Sequence, residues 1–344
     1  MKTHVAVVGA GLAGLATTWH LLSLKPSGYQ VTLFDEEAPG AGASGVASGL
    51  LHPFPASATR LSFKGYEALH HSLQLLYHVQ GLSQEKLFDT SGILKLAQED
   101  DQKREYSRLS RLYDRLQWWE ADKVVTAAFL CKKMPALFLE QGVTVFCKPY
   151  LQALWLACRS LGARFEKQKV TSLHELQGFD KQVFCVGASI KKLDPSWKLQ
   201  LVKGQLLTLK SQKPLTKLSL LARGYLAITQ DPLLYHLGST YEHNFQDAAP
   251  HKEEAVRLLK PQLLSYAREE AVQDLEIVGC EAALRVTNST TYLPLIKRYS
   301  PTCYAFAALG SRGLLYHSFL GKQLAEALIY EDDKRILPEF FLRD

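Results

Sequence analysis

The sequence predicts an α/β fold: a Rossmann-type dinucleotide-binding domain at the N-terminus, interrupted by a second domain built on antiparallel sheet. Three observations carry that prediction. Residues 5–8 form a short apolar run that passes directly into Gly9-Ala-Gly11-Leu-Ala-Gly14. Leu12, Leu15, Trp19 and Leu22 then recur at helical spacing until Pro26 and Gly28 end the pattern. A second apolar strand, residues 31–34, closes on Asp35 and Glu36.

Each glycine of Gly9-x-Gly11-x-x-Gly14 stands where the physics of phosphate binding asks for one. Gly9 turns the chain out of the strand, Gly11 admits a pyrophosphate to the backbone, and Gly14 lets the helix pack on the sheet. The helix N-terminus, including Leu12 and Ala13, offers unsatisfied N–H groups and a positive dipole end. Asp35, at the end of the second strand, is placed to accept hydrogen bonds from an adenosine ribose; Glu36 is the lesser candidate. The fingerprint alone leaves NAD, NADP and FAD open.

The remaining elements follow in order. Residues 39–55, rich in Gly, Ala and Ser and without period, read as a loop. Helical patterns cover 61–80, 100–119 and 150–161, and a strand at 181–186 ends on Gly187-Ala188. Residues 201–228 alternate like antiparallel strands, and Asp231-Pro232 turns the chain into a strand at 234–238. A helix over 252–268 is expected to break at Pro261. Residues 304–309 read as a strand, Gly310-Ser311-Arg312-Gly313 as a turn, and 316–330 as the last helix.

Composition narrows the function classes. At 344 residues the chain accommodates two lobes at roughly 100–200 residues each. No apolar run approaches the roughly 18 residues of a membrane span, and the N-terminus lacks the features of a signal peptide, so a cytoplasmic location is expected. The six cysteines form no CxxC pair and stand at no zinc spacing with histidine, so no metal is expected. Net charge is +6, yet residues 191–217 hold seven lysines (191, 192, 198, 203, 210, 213, 217) against the single acid Asp194. That excess reads either as solvated loops or as a surface for a polyanion. His70, His71 and His78 fall on a helix and read as surface residues, and no Ser/His/Asp set stands in a hydrolase context.

Beyond Asp35, Gly40-Ala-Gly-Ala-Ser44-Gly45-Val-Ala-Ser48-Gly49-Leu50-Leu-His52-Pro53 offers small residues and backbone amides fit to line a diphosphate and an isoalloxazine. With this segment the chain resembles the D-amino-acid-oxidase-like flavoproteins, which include glycine and sarcosine oxidases. The resemblance spans nearly the whole chain. It includes the glycine fingerprint, Val183-Phe-Cys-Val-Gly187-Ala188, Lys203-Gly204-Gln205, Leu284-Arg285 and Leu293-Pro-Leu-Ile296. Ala308-Leu-Gly310-Ser311-Arg312-Gly313-Leu314, with the 48–53 loop, is similar in particular to the oxidase half of the bifunctional enzymes of tRNA 5-methylaminomethyl-2-thiouridine biosynthesis. The methyltransferase half of those enzymes has no counterpart here.

The resemblance implies FAD as cofactor, bound by residues 1–80, 148–202 and 281–344, and a substrate domain of 81–147 and 203–280. It implies oxidation of a C–N bond by hydride transfer to the flavin. Flavin contacts are expected from Ser44, Gly45, Ser48, Gly49, Leu50, Val170, Gly187, Ala188, Gly310, Ser311, Arg312, Gly313 and Leu314, besides the fingerprint. Arg285 matches the position that binds a substrate carboxylate, for which a guanidinium has the matching fork. Arg312 is placed to contact flavin or substrate, Tyr241 to line the pocket. His52-Pro53 reads as a loop corner rather than a covalent flavin attachment. The expected substrate is an N-substituted glycine, either a 5-carboxymethylaminomethyl uridine in tRNA or a free amine such as glycine or sarcosine. A non-catalytic dinucleotide-binding module is the contrasting class.

Overall fold

In the computed structural model, residues 2–55 and 60–342 are described. The outermost residues of the expected domain ranges, and 56–59, lie outside them. β1 (Thr3–Val8), α1 (Leu12–Leu24) and β2 (Tyr29–Asp35) form the expected βαβ start, with β1 and β2 parallel from Thr3↔Tyr29 to Val8↔Phe34. β1 and β2 are almost wholly buried, which is why they read as continuous apolar runs rather than alternating ones.

Around this start a seven-stranded mixed sheet assembles. Its order is Phe341–Leu342, Leu295–Ser300, Cys303–Ala307, Lys181–Phe184, β1, β2, Arg164–Lys167. Cys303–Ala307, Lys181–Phe184, β1, β2 and Arg164–Lys167 run parallel, so their carboxyl ends share one edge. The loops after them, beginning at Gly9, Glu36, Gln168, Cys185 and Ala308, therefore open onto one crevice. α1 packs against the long helix Gly313–Tyr330, where a Cβ on Gly321 would stand 3.2 Å from Ala16.

A second, eight-stranded sheet has the order Glu276–Thr287, Gln200–Lys210, Leu234–Gly238, Tyr225–Ile228, Ser219–Leu221, Ile93–Leu96, Ala136–Leu139, Leu116–Trp119. It is antiparallel except where Ser219–Leu221 runs parallel to Ile93–Leu96. Its core of Leu94, Leu207, Leu220, Leu237 and Tyr235 is covered by Leu259 and Leu263 of the helix Lys252–Tyr266. The two sheets meet where Thr287 bridges Leu309 and the Gly310 N–H donates to the Val286 carbonyl (3.0 Å).

Several elements differ from the sequence reading. Residues 39–55 hold a helical turn, Ala43–Val46, and a two-residue strand, Leu50–Leu51, paired with Val143–Val145. The 100–119 helix ends at Leu112, and Leu116–Trp119 is a strand; only Tyr106 and Leu109 of the helix are buried. Pro261 does not break its helix, which runs unbroken over Lys252–Tyr266. Pro261 lies on the exposed face, where the displaced carbonyl one turn back can be hydrated. No described helix is long and apolar enough to cross a membrane.

Candidate active site

The first half of the site is the glycine turn. Gly9 has φ +103°, a left-handed conformation that disfavours any side chain, and a Cβ there would lie 2.3 Å from the Cys185 carbonyl. A Cβ on Gly14 would fall 1.8 Å from the Gly9 carbonyl oxygen, so α1 begins directly against the turn. Asp35 closes the turn from β2, its carboxylate accepting from the Ala10 N–H (2.6 Å) and the Glu37 N–H (3.0 Å). Glu36 points away, exposed and paired with Lys169 at 2.5 Å.

The 40–49 segment folds back onto this turn. Gly40 N–H donates to the Ala10 carbonyl (3.0 Å), and the Ser44 hydroxyl accepts from the Leu12 N–H (3.1 Å). Gly45 lies within Ala43–Val46, which packs beside Glu276–Thr287. Gly49 is wedged under Val145, and Leu50 pairs with Thr144. Val170 packs against the buried cluster that includes Phe34 and Phe184, while Gly187 and Ala188 form a short turn after the Lys181–Phe184 strand.

The crevice passes the test for a dinucleotide. A Cβ on Gly42 or Gly187 would meet nothing within 4 Å, so the backbone of both loops is open to approach. The first-turn amides of α1, with those of Ala13 and Gly14 among them, lack intrahelical partners by helix geometry and suit a diphosphate. The Gly313–Tyr330 helix starts at the same place, since a Cβ on Gly313 would meet Leu12 at 3.1 Å. Ser311 is exposed, Arg312 half-buried at the N-cap, and Leu314 buried. Gly310, with φ +53°, stands against Thr287.

The second half of the site lies on the eight-stranded sheet. Arg285 is opposite Val202, and its guanidinium lies diagonally over Gly204, where a Cβ would stand 1.9 Å from Nη2. Nη2 donates to the Ser239 hydroxyl (2.8 Å) and the Thr240 carbonyl (3.0 Å). Tyr241 is 54% exposed rather than packed in the sheet, and its ring lies 5.8 Å from the Arg285 guanidinium carbon. Because Val286 and Thr287 join the 309–310 turn, Arg285 and Arg312 come to the same junction.

Two residues outside the sequence-based candidate set complete this half. The Ser48 hydroxyl donates to the Tyr225 hydroxyl (2.9 Å), and Ser239 is a further partner of that phenol. Burial pushes the Tyr225 phenol up. The run Gly238-Ser239-Thr240 marks the place in the sequence, but only strand register brings Tyr225 opposite Gly238. Below the 48–53 loop, burial and then Lys95 push the His52 imidazole down to about 3, leaving it neutral. Lys95, pushed down to about 8 by burial, donates to the Pro55 carbonyl (2.8 Å).

The seven lysines of 191–217 do not form one surface. Lys203 is 1% exposed, 3.8 Å from Asp247, and Lys191 donates to the Leu199 carbonyl. The others divide between the two ends of the eleven-residue strand Gln200–Lys210, about 35 Å apart at ordinary strand rise. His70 and His78 are exposed, and His71 is half-buried against Phe319.

A glycine turn of this kind facing a sheet that carries a clamped arginine accords with an FAD-dependent oxidoreductase, the class that the family match shows. The chain belongs to the FAD dependent oxidoreductase (DAO) family, which matches residues 4–327. It is 28% identical to a tRNA 5-methylaminomethyl-2-thiouridine biosynthesis bifunctional protein of Thiobacillus denitrificans, over 94% of this chain and 56% of that one. To the protein of the same description from Shewanella pealeana it is 25% identical, over 82% of this chain and 47% of that one. The chain thus spans about half the length, or less, of such relatives. Its fold matches a glycine oxidase from Bacillus cereus with TM-score 0.84 at 18% identity, covering 100% of this chain and 99% of the other.

Proposed function

We propose that this oxidoreductase takes an amine carrying a carboxymethyl group and oxidises the C–N bond, with Arg285 as the carboxylate anchor. The observation that carries the reading is the guanidinium clamped over Gly204 at the junction with the 309–314 turn. Nη2 spends its protons on Ser239 and Thr240, and three further N–H groups are left for a substrate carboxylate. When bound, FAD supplies the electron sink for a hydride. The protein supplies placement: Arg285 orients the carboxylate, and the N-terminus of Gly313–Tyr330 with Arg312 offers positive charge to the cofactor's anionic edge. Tyr241 borders the entrance. The departing hydride leaves a C=N bond that water hydrolyses.

The first sheet and its crevice support a Rossmann-type FAD-binding domain of 1–80, 148–202 and 281–344. The substrate domain is then 81–147 and 203–280, with Gln200–Lys210 and Glu276–Thr287 running across the boundary as shared strands. The names of the relatives favour a 5-carboxymethylaminomethyl uridine of tRNA as the carrier of the amine. The division of the lysines into two distant groups favours the alternative, a free amine such as glycine or sarcosine.

Anaerobic mixing of the flavin-loaded protein with each candidate separates these readings. Bleaching of the flavin by tRNA bearing the carboxymethylaminomethyl group, with little by sarcosine or glycine, is the expected result. Rapid bleaching by the free amines moves the assignment to an amine oxidase. Bleaching by none of them leaves a dinucleotide-binding module without this activity.

A further inference from the structure

We propose that a cavity at the end of the eight-stranded sheet is a nucleotide subsite, in which three cationic side chains take the phosphate and an apolar floor with a carboxamide takes the base. The cavity has a volume of about 420 Å³, within the roughly 300–1,000 Å³ of small-molecule sites. Three separate segments wall it. Glu99 and Lys103 come from the start of the helix Asp100–Leu112, and Lys133, Met134 and Pro135 from the approach to Ala136–Leu139. Arg223 comes from the turn between Ser219–Leu221 and Tyr225–Ile228. Strand pairing sets its place. Leu221 pairs with Lys95 and with Tyr225, and Tyr225 pairs with Gly238. The cavity and Ser239, a partner of Arg285, therefore lie beyond the same end of the sheet, three strand spacings or about 14 Å apart.

The walls are tied to one another. The Ala97 N–H donates to the Pro135 carbonyl (2.9 Å), and Gln98 Nε2 donates to the Ser265 hydroxyl (2.8 Å) of the helix Lys252–Tyr266. The lining charge is lopsided, with Lys103, Lys133 and Arg223 against Glu99 alone. Each cation holds one exposed acid: Lys103 pairs with Asp100 and Lys133 with Asp122 (both 2.8 Å), and Arg223 with Glu99 (3.0 Å). Exposed pairs of this kind contribute little, so a phosphate carrying two charges can draw the cations onto itself. Arg223 commits one guanidinium nitrogen to Glu99, and the rest of its fork is left for phosphate oxygens. The side chains make this site rather than the helix N-terminus, which Glu99 and Gln102 close in a capping box.

The floor is what favours a nucleotide over bare phosphate. Met134 and Pro135 offer apolar surface to a planar ring. Gln98, also in the lining, has a buried Oε1 with no hydrogen-bond partner among the described residues. The terminal torsion of glutamine is soft, so the carboxamide can turn this oxygen to the exocyclic amine of a base, a donor it lacks. The subsite stands whether or not Arg285 anchors a carboxylate.

Calorimetric titration of the flavin-loaded protein with CMP tests it; a pyrimidine nucleotide is unlike the adenine half of FAD. One CMP should bind per chain. Cytidine, without the phosphate, and ribose 5-phosphate, without the base, should each bind at least about ten-fold more weakly. Arg223→Ala, and Lys103→Gln with Lys133→Gln, should each raise the CMP Kd about ten-fold, the scale of a lost charge-assisted hydrogen bond. Lys213→Gln with Lys217→Gln, equal in charge but beyond the far end of Gln200–Lys210, should leave it unchanged. Arg285→Lys should also leave it unchanged, which separates this subsite from the amine site.

Absence of saturable CMP binding, an unchanged Kd in both cation variants, or an equal loss in the Lys213 and Lys217 pair would each overturn the subsite. So would ribose 5-phosphate binding as tightly as CMP, or a loss in Arg285→Lys as large as in Arg223→Ala. Should Arg223→Ala fail to fold, the Lys103 and Lys133 pair carries the same test. A cytidylate trinucleotide distinguishes the two sources of the ligand: tighter binding than CMP, weakened by the same variants, supports the subsite as a grip on an RNA strand, and weaker binding supports it as a site for a free nucleotide. If CMP behaves as expected and no carboxymethyl amine bleaches the flavin, the reaction assignment fails and the subsite remains.

Discussion

The glycine turn and the Arg285 cluster are both held by backbone seen at close range, yet they are assembled in opposite ways. The turn is local: Gly9, Gly11, Gly14 and Asp35 belong to one βαβ unit, and Ser44 returns to it from the next loop. The arginine cluster draws on four strands of another sheet and on the 48–49 loop. A defect in the first should cost the cofactor. A defect in the second should leave a flavoprotein that no longer holds its substrate. That difference is what the following experiments address.

The largest effect is expected from Gly14→Ala. Its Cβ would sit 1.8 Å from the Gly9 carbonyl, and backbone cannot give way as a side-chain tip can. α1 must move off the turn, carrying its N-terminal amides away from the diphosphate. The purified variant should be colourless, read as loss of absorbance near ~450 nm, a general flavin property. Retention of a full complement of FAD would show that the turn tolerates displacement and is not where the phosphates are held.

Gly204→Ala makes the matching cut in the other region. The new Cβ would fall 1.9 Å from Arg285 Nη2, and here the obstacle is the end of a flexible side chain. The fold should survive and the guanidinium should swing out, losing its bonds to Ser239 and Thr240. We expect a yellow protein whose kcat/KM for a carboxymethyl amine falls about 100-fold, roughly 2.7 kcal/mol. Arg285→Lys, which keeps charge but not the guanidinium fork, should fall comparably. A Gly204→Ala enzyme with normal kinetics would mean the clamped geometry is not the productive one.

This asymmetry also explains what the sequence made legible. The glycine spacing and Asp35 are read from consecutive residues, because helix and strand geometry alone carries them into contact. Arg285 is legible through resemblance, and its partners are not. Gly204 and Gly238 look like ordinary strand glycines until register shows one under a guanidinium and the other beside a phenol. The 100–119 stretch departs from its helical pattern for a related reason. Its charged, i,i+3-paired helix has a clear period, while the short strand Leu116–Trp119 is specified by pairing with Ala136–Leu139. Residues 191–217 likewise form a cluster in sequence and not in space, because a long strand separates their ends.

Acid should destabilise the fold through its buried imidazoles, in the first region as well as at His52 in the second. His317 lies buried in the helix behind the crevice, bonded to the Tyr150 hydroxyl (2.8 Å) and the Leu314 carbonyl (2.9 Å), and burial pushes its imidazole down to about 4. Above about pH 6.5, the usual imidazole value, it is neutral in folded and unfolded chain alike. As pH falls from 6.5 towards 4 the unfolded chain takes up a proton that the folded one refuses, so stability declines. The decline levels off below about 4, after a loss of about 3 kcal/mol. His20 of α1, pushed down to about 3 by burial and by His317, acts in the same direction. Tm should therefore drop between pH 6.5 and 4.5, and His317→Gln should show a shallower drop. An identical pH dependence in that variant would remove His317 as a source of the acid lability.

The smallest effect concerns the lysines, and it bears on the substrate. Val202 pairs with Arg285, so the Gln200 end of its strand lies near the anchor and Lys210 lies about 25 Å further along. If an RNA delivers the amine, its backbone must pass the near end. Lys192 and Lys198, both exposed, then matter, and Lys213 and Lys217 do not. Reversing the near pair to glutamate should weaken tRNA retention about ten-fold at low salt and reduce the salt dependence by one or two phosphate contacts, a slope change of roughly 0.7 each. Reversing the far pair should change neither, and neither pair should alter FAD content. Equal losses at both ends would indicate diffuse attraction to a basic protein, and no loss at either would leave the free amine as the substrate that fits this pocket.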